Sequence, residues 1–163
     1  MNTRSSLHAF TLVAAGLLAA CGGGSDDPEP TPVPATLTVS SSTNALFNGT
    51  YTTPTASLAA VEKVNPIGGE PEVCSFRFSG LSGPGGEMTG DVRYIPGTNG
   101  LRVIFVAING VEFVSRDTTN AAVDRSNDRV DLSGKSLSAS TGVASTLTLT
   151  GSIPMRGNRP DGC

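Results

Sequence analysis

The sequence predicts an all-β domain, and three observations support that prediction. Thr, Val, Ser, Phe and Ile are frequent beyond residue 35, Gly-rich turns recur at short spacing, and several segments alternate apolar with polar residues. The chain has 163 residues with 20 Gly, 37% apolar and 15% charged residues, which excludes a coiled coil, a collagen-like repeat and a highly charged disordered chain. We expect an antiparallel meander of about seven to nine strands, closed as a small barrel or folded as a sandwich.

The strongest strand prediction is a hairpin formed by residues 101–108 and 111–116. Asn109 and Gly110 lie between the two strands, and both residue types tolerate the positive φ that a type I′ turn requires. A two-residue loop also sets the register of the strands. The predicted cross-strand pairs are Ile108 with Val111, Val106 with Phe113, and Phe105 with Val114.

Two further strands precede this hairpin, over residues 74–80 and 88–95. We choose the register that turns the aromatic residues inward, because a slip by one residue would bury Ser75, Arg77 and Ser79 instead. The predicted pairs are Phe76 with Val92, Phe78 with Gly90, Val92 with Ile104, Gly90 with Val106, and Tyr94 with Arg102.

The same register brings opposite charges together on the outer face. Arg77 lies opposite Asp91, and an exposed pair of this kind contributes about 0.2–1 kcal/mol. The inner face then forms the predicted core of Cys74, Phe76, Phe78, Met88, Val92, Tyr94, Ile104, Val106, Ile108, Val111 and Phe113.

Strands are also predicted over residues 36–40, 129–134 and 145–153. Apolar residues alternate with polar ones in the last two, so we expect inward side chains at Val130, Leu132, Leu147, Leu149 and Ile153. Residues 54–64 fit two structures. A Pro at position 54 and apolar residues at every third position fit a short helix, whereas the alternative is a strand that pairs with residues 73–78.

The N-terminus has the pattern of a targeting segment. Arg4 precedes an apolar run over residues 11–20, which is shorter than the roughly 20 residues of a membrane-spanning helix. The run ends in Leu-Ala-Ala followed by Cys21 and Gly22. This motif resembles the lipobox of bacterial lipoproteins, and the resemblance covers residues 1–21 only.

The resemblance implies a lipid-anchored protein of the cell envelope. Residues 1–20 are then a signal peptide that is removed, and Cys21 is diacylated on its thiol and acylated on its new N-terminus. Several acyl chains anchor stably, since each buried CH₂ adds about 0.8 kcal/mol. In lipoproteins of Gram-negative type, Asp after the Cys favours inner-membrane retention, so Gly22 favours the outer membrane, with either leaflet open.

The rest of the chain divides into a tether and one domain. Residues 21–34 hold the lipidated Cys and a Gly- and Pro-rich linker that cannot build a core and reaches at most about 40 Å. Residues 35–163 form the predicted single β domain. Without residues 1–20 the chain keeps 14 acidic and 10 basic residues and has no His. No basic cluster is present to replace phosphate counterions, so we expect no nucleic-acid partner.

Cys74 and Cys163 are predicted to form a disulfide. Export places both thiols in an oxidising compartment, where a pair of thiols usually bonds. Closing so long a loop lowers the entropy of the unfolded chain and thereby stabilises the fold by roughly 4–5 kcal/mol at most. Metal binding by two thiols without a His is the poorer alternative.

An acidic segment offers a weak calcium candidate formed by Asp124, Asn127, Asp128 and Asp131. Calcium prefers six to eight oxygen ligands, but the spacing departs from the EF-hand loop. The favoured alternative is a hairpin turn in which Arg125 and Arg129 neutralise the acids.

Enzymatic function has little support in the sequence. The mature chain lacks a His as general base, and the disulfide leaves no free thiol. A Ser–Lys arrangement around Lys135 is a weak signal, and carboxylate pairs such as Glu70 with Glu72 or Glu87 with Asp91 are the remaining route to a hydrolase. We expect a non-enzymatic protein without a cofactor.

The outer face of the central hairpin is the candidate partner surface. Residues 103–108 are apolar on both faces, whereas a strand covered on one side alternates. Either the domain itself covers this face, or a partner binds there. The residues concerned are Val103, Phe105, Val114, Arg77 and Arg93.

These observations favour an envelope lipoprotein whose β domain acts as an adaptor or binding module. Its expected partners are the membrane, through Cys21, and an unknown envelope protein or small ligand. One alternative is a small barrel that binds an apolar ligand in its interior. A carboxylate-dependent hydrolase is the other alternative.

Overall fold

Residues 33–65, 70–142 and 144–163 are described by the computed structural model, and they contain eleven β-strands. The strands are β1 (Ala35–Ser40), β2 (Gly49–Thr53), β3 (Ser57–Leu58), β4 (Glu62–Val64), β5 (Val73–Gly83), β6 (Gly86–Tyr94), β7 (Leu101–Ile108), β8 (Val111–Ser115), β9 (Ala121–Asp124), β10 (Arg129–Ala139) and β11 (Thr146–Pro154). One turn of 3-10 helix covers Ala45–Phe47. The all-β prediction is confirmed.

Eight of these strands form a closed antiparallel barrel. Their order is β1–β2–β5–β6–β7–β8–β10–β11, and β11 pairs again with β1. The short strands β3 and β4 extend the sheet from β5, and β9 extends it from β10. The structure therefore selects the barrel over the sandwich, because each of the eight strands pairs with a neighbour on both sides.

The predicted register of the central strands is confirmed, with one exception. All three pairs of the β7–β8 hairpin occur as predicted, and Asn109 and Gly110 have φ values of 48° and 80°. The four predicted pairs that join β5 to β6 and β6 to β7 through Val92 and Gly90 also occur. The exception is Tyr94, which pairs with Leu101 instead of Arg102 because the register shifts between Arg93 and Tyr94.

Side chains from all eight barrel strands fill the interior. Every predicted core residue is buried except Val111, which lies next to the hairpin turn and is exposed. The five inward residues predicted on β10 and β11 are buried as well. Gly90 has no space for a side chain, because a Cβ there would lie 2.4 Å from the Phe78 ring.

The helix alternative for residues 54–64 is wrong, because this segment forms β3 and β4. Strand β2 pairs with β5 only at Thr52 and Ser82, so residues 73–79 of β5 need other partners for their backbone groups. Ser57 and Leu58 pair with Ser79 and Phe78, and Glu62–Val64 pair with residues 73–75.

The predicted disulfide between Cys74 and Cys163 is confirmed, with 5.6 Å between the two Cα atoms. Both cysteines are buried. The Tyr94 hydroxyl donates a hydrogen bond to the carbonyl of Cys163 at 2.7 Å, and the Gly97 amide donates to the carbonyl of Gly162 at 2.8 Å. These contacts fix the C-terminal tail at the end of the barrel where β6 ends.

Candidate functional site

The five residues of the candidate partner surface lie together on the outer face of the barrel. Arg77 is on β5, Arg93 on β6, Val103 and Phe105 on β7, and Val114 on β8. Val103 is buried, whereas Phe105 and Val114 are half-buried. The domain therefore covers part of this face and leaves the Phe105 ring partly accessible.

A groove of about 460 Å³ runs along this face and crosses β3, β5, β6, β7 and β8. Arg77 and Phe105 line it, while Arg93, Val103 and Val114 lie beside it. Asp91 and Glu112, which the sequence also places on this face, line the groove as well. The other lining residues are Ser57, Leu58, Ala59, Phe78, Ser79, Thr89, Gly90 and Ala107.

Small residues on neighbouring strands make room for the groove. Thr89 on β6 pairs with Ala107 on β7, and both of these side chains are small. The next pair on the same face, Asp91 with Phe105, has larger side chains, and these border the groove.

The short strand β3 supplies one end of the groove. The Ala59 amide donates a hydrogen bond to the carbonyl of Arg77 at 2.9 Å. Leu58 is half-buried and packs against the core of the barrel. Sequence alternation could not have found this contribution, because it depends on a non-local pairing between β3 and β5.

Arginines surround the Phe105 ring. The guanidinium carbons of Arg93 and Arg116 lie 5.4 Å and 5.9 Å from the ring centroid, within range of cation–π attraction. Asp91 accepts a hydrogen bond from Arg93 Nε at 3.0 Å, and Arg77 Nε lies 3.7 Å from the same carboxylate. The predicted Arg77–Asp91 pair is therefore present, but it is loose.

The charges on this face differ in their access to solvent. The side chain of Arg77 is 81% exposed and that of Arg93 is 43% exposed, whereas the Asp91 side chain is only 18% exposed. Within the described ranges, Arg116 has no acidic partner. Glu112, at the β8 end of the groove, is exposed. The face around Phe105 therefore presents mainly guanidinium groups to solvent.

The weak calcium candidate forms the hairpin turn between β9 and β10. Asp124 accepts hydrogen bonds from Ser126 Oγ at 2.6 Å and from Asn127 Nδ2 at 2.6 Å, and these bonds lower the pKa of its carboxyl. Arg129 binds Asp131 at 3.1 Å, and Asp128 is paired with Arg159. In the described parts of the chain, no three His, Cys, Asp or Glu side chains are grouped to hold a metal ion.

The remaining catalytic candidates lie in ion pairs or apart from one another. Glu72 pairs with Lys63 at 3.6 Å, and Asp91 is enclosed by arginines. Lys135 is buried, and its ammonium donates to Asp117 Oδ1 at 2.5 Å and to the carbonyls of Asp117 and Thr119, both at 2.8 Å. These three acceptors satisfy the three donors of the ammonium group.

The Lys135–Asp117 pair was not found from the sequence. The hydrogen bond from Lys135, followed by those from Thr119 and Ser115, lowers the pKa of the Asp117 carboxyl well below its usual range. A register shift between Leu132 and Lys135 in β10 allows the inward position to be occupied by Lys. The pair holds the segment between β8 and β9 against the barrel.

Cys21, the predicted lipidation site, lies outside the described residues. No helix in the described ranges has the length and apolar character to span a membrane. No protein-family model, curated protein or solved structure matches the chain.

Proposed function

We propose that the protein is a lipid-anchored component of the bacterial envelope whose β-barrel is a non-enzymatic binding module. The binding surface is the groove across β3, β5, β6, β7 and β8. The observation that carries this proposal is the half-buried Phe105 ring beside a groove and flanked by two arginines. Aromatic residues and Arg are enriched in protein interfaces, and they contribute most when they lie in a pocket bordered by polar groups.

The chemistry of the groove favours binding over catalysis. Its ionisable groups are Arg77, Asp91 and Glu112. Asp91 forms ion pairs with two arginines, so Glu112 is the one carboxylate of the groove lining without an ion pair among the described residues. A glycoside hydrolase needs two carboxyl groups that face one bond, so this arrangement supports an adaptor.

The interior of the barrel is the alternative binding site for a small apolar ligand. An eight-stranded barrel has the size for this function. Its interior, however, contains the fully buried side chains of Tyr51, Phe76, Tyr94 and Phe113. A ligand would have to displace these side chains, whereas the outer groove is open to a partner, and we therefore favour the groove.

The proposed anchor rests on the lipobox-like motif that ends at Cys21. Metabolic labelling with palmitate should mark the wild-type protein and should be lost in Cys21→Ser. A labelled Cys21→Ser protein would contradict lipidation at this thiol. Fractionation of the labelled protein between inner and outer membranes would then test the localisation that Gly22 favours.

Photo-crosslinking in cells tests the groove as a binding surface. A benzophenone amino acid in place of Ala107, which lines the groove, should form an adduct with a partner. The same amino acid in place of Thr36, exposed on β1 and outside the groove, is the control. Both variants should melt near the wild-type temperature. Equal adducts at both positions, or none at position 107, would contradict the proposal.

A further inference from the structure

We infer that the groove binds an extended acidic peptide segment of a partner protein, with carboxylates bound by Arg77 and Arg116; this inference rests on the proposed binding function of the groove. It adds the chemical class of the partner, which the groove's shape and charge determine together.

The charge of this face is opposite to that of the chain. The whole chain has a formal net charge of −3. The face around Phe105, in contrast, carries three arginines, Arg77, Arg93 and Arg116, against two carboxylates, Asp91 and Glu112, and Asp91 is largely enclosed. A positive patch on an acidic protein attracts a negative partner surface and disfavours a positive one.

The guanidinium groups at the two sides of Phe105 have donors to offer. Arg77 contacts Asp91 only at 3.7 Å, beyond hydrogen-bond distance. Arg116 lies over the Phe105 ring, and its guanidinium has no acceptor among the described residues. A guanidinium forms two parallel hydrogen bonds with a carboxylate, which neither an amide nor a hydroxyl group can match. Two carboxylates of one partner segment would satisfy both arginines.

The dimensions of the groove fit an extended chain. It crosses five strands, and four spacings of about 4.8 Å give a length of about 19 Å. An extended peptide rises about 3.3 Å per residue, so about six residues span the groove. Ser57, Ser79 and Thr89 offer hydroxyl groups to the peptide backbone, while Phe105 and Ala107 offer an apolar surface.

A lipid surface is the other source of negative charge in an envelope. A face that inserts into lipid exposes large apolar side chains together with its cations. The exposed large apolar residues in the described ranges are Leu46, Val64 and Val111, and none of them lines the groove. The observations therefore favour a peptide.

Fluorescence anisotropy with the full chain in detergent tests this inference. The probe is a labelled eight-residue peptide of alternating Glu and Ala, and the matched control peptide replaces each Glu by Lys. We expect the Glu peptide to bind, the Lys peptide not to bind, and affinity to fall as salt rises from about 50 to 150 mM. Amide shifts at Thr89 and Ala107 should report binding in the groove.

Charge-matched variants locate the contact. Arg77→Ala and Arg116→Ala should each weaken binding of the Glu peptide by about three- to tenfold. Arg129→Ala removes the same charge from β10, outside the groove, and should change affinity less than twofold, a margin of about 0.4 kcal/mol. Equal losses in all three variants would show binding to net charge alone and would overturn the inference.

Two further outcomes would also overturn it. Vesicles of anionic phosphatidylglycerol that bind with the same dependence on Arg77 and Arg116, while the Glu peptide does not, would assign the face to lipid headgroups. A crosslink at position 107 together with no peptide binding would refute the acidic partner and leave the proposed binding function intact. The absence of both crosslink and peptide binding would refute both proposals.

Discussion

Lys135 and Asp117 form an ion pair whose members differ sharply in exposure, and this difference predicts which one is more costly to remove. The side chain of Lys135 is 1% exposed, whereas that of Asp117 is 53% exposed. In Asp117→Ala the ammonium stays buried with only the two carbonyl acceptors at positions 117 and 119. In Lys135→Met the carboxylate stays at the surface, where water replaces the lost partner.

The loss of unfolding free energy in each variant depends on whether the remaining partner is buried or hydrated. Removal of one partner of a buried ion pair costs about 3–5 kcal/mol when the other charge stays buried and uncompensated, and we expect about 3 kcal/mol for Asp117→Ala. Lys135→Met keeps the volume of the side chain and leaves a hydrated carboxylate. It loses hydrogen bonds that are replaced by water, so we expect about 1–2 kcal/mol.

Urea unfolding at pH 7 with the disulfide intact measures these differences. The double variant Lys135→Met/Asp117→Ala should be about as stable as Lys135→Met, because no buried charge is left. Glu87→Ala, which removes an exposed acid from β6, is the control for loss of a surface charge. If Lys135→Met destabilises the protein as much as Asp117→Ala does, the burial argument is refuted.

Three further predictions concern pH, the disulfide and Phe105. The pKa of Asp117 is lowered in the folded protein, so its ionised form stabilises the fold above the unfolded pKa of about 3.9. This stabilisation is lost as the pH falls below that value. The melting temperature of Asp117→Ala should therefore fall less steeply with acid than that of the wild type. Non-reducing peptide mapping should join Cys74 to Cys163, and reduction should cost about 2–5 kcal/mol; two free thiols in the native protein would contradict the link. Phe105→Ala should cost about 1–2 kcal/mol because the ring is half-buried, whereas Phe113→Ala in the core should cost about 3–5 kcal/mol; equal losses in urea unfolding would contradict this difference.

The parts of the fold that were predicted correctly depend on neighbouring residues in the sequence. Alternation of apolar and polar residues on β5, β6 and β7 determined the register, and the Arg77–Asp91 pair followed from it. Asn109-Gly110 specified the β7–β8 turn in the same way, because turn type depends on the φ preference of two residues.

The errors lie where the regular alternation is interrupted. A register shift next to Tyr94 changed one predicted pair. In β10, Gly134 adopts a φ of 70°, and after it the inward position is occupied by Lys135, so an apolar pattern could not show that the strand continues to Ala139. The short strands β2 and β9 were also missed, since they have five and four residues and weak alternation.

The candidate site also has one part that the sequence predicts and one part that it does not. Val103, Phe105, Arg77 and their neighbours could be assigned to one face from the sequence, because side chains alternate between the two faces of every strand. The addition of β3 to the edge of β5 and the row of small residues that forms the groove required the structure.

The sequence by itself determined the strand class, the inward face of most strands, the central register and the cysteine pair, because these depend on local alternation and on the number of cysteines available. Only the tertiary structure decided that eight strands close into a barrel, that β3 borders a groove and that Lys135 meets Asp117. Closure, edge pairing and a buried ion pair join residues far apart in the chain. Their stability depends on backbone hydrogen bonds and burial in three dimensions, which no local pattern of residues records.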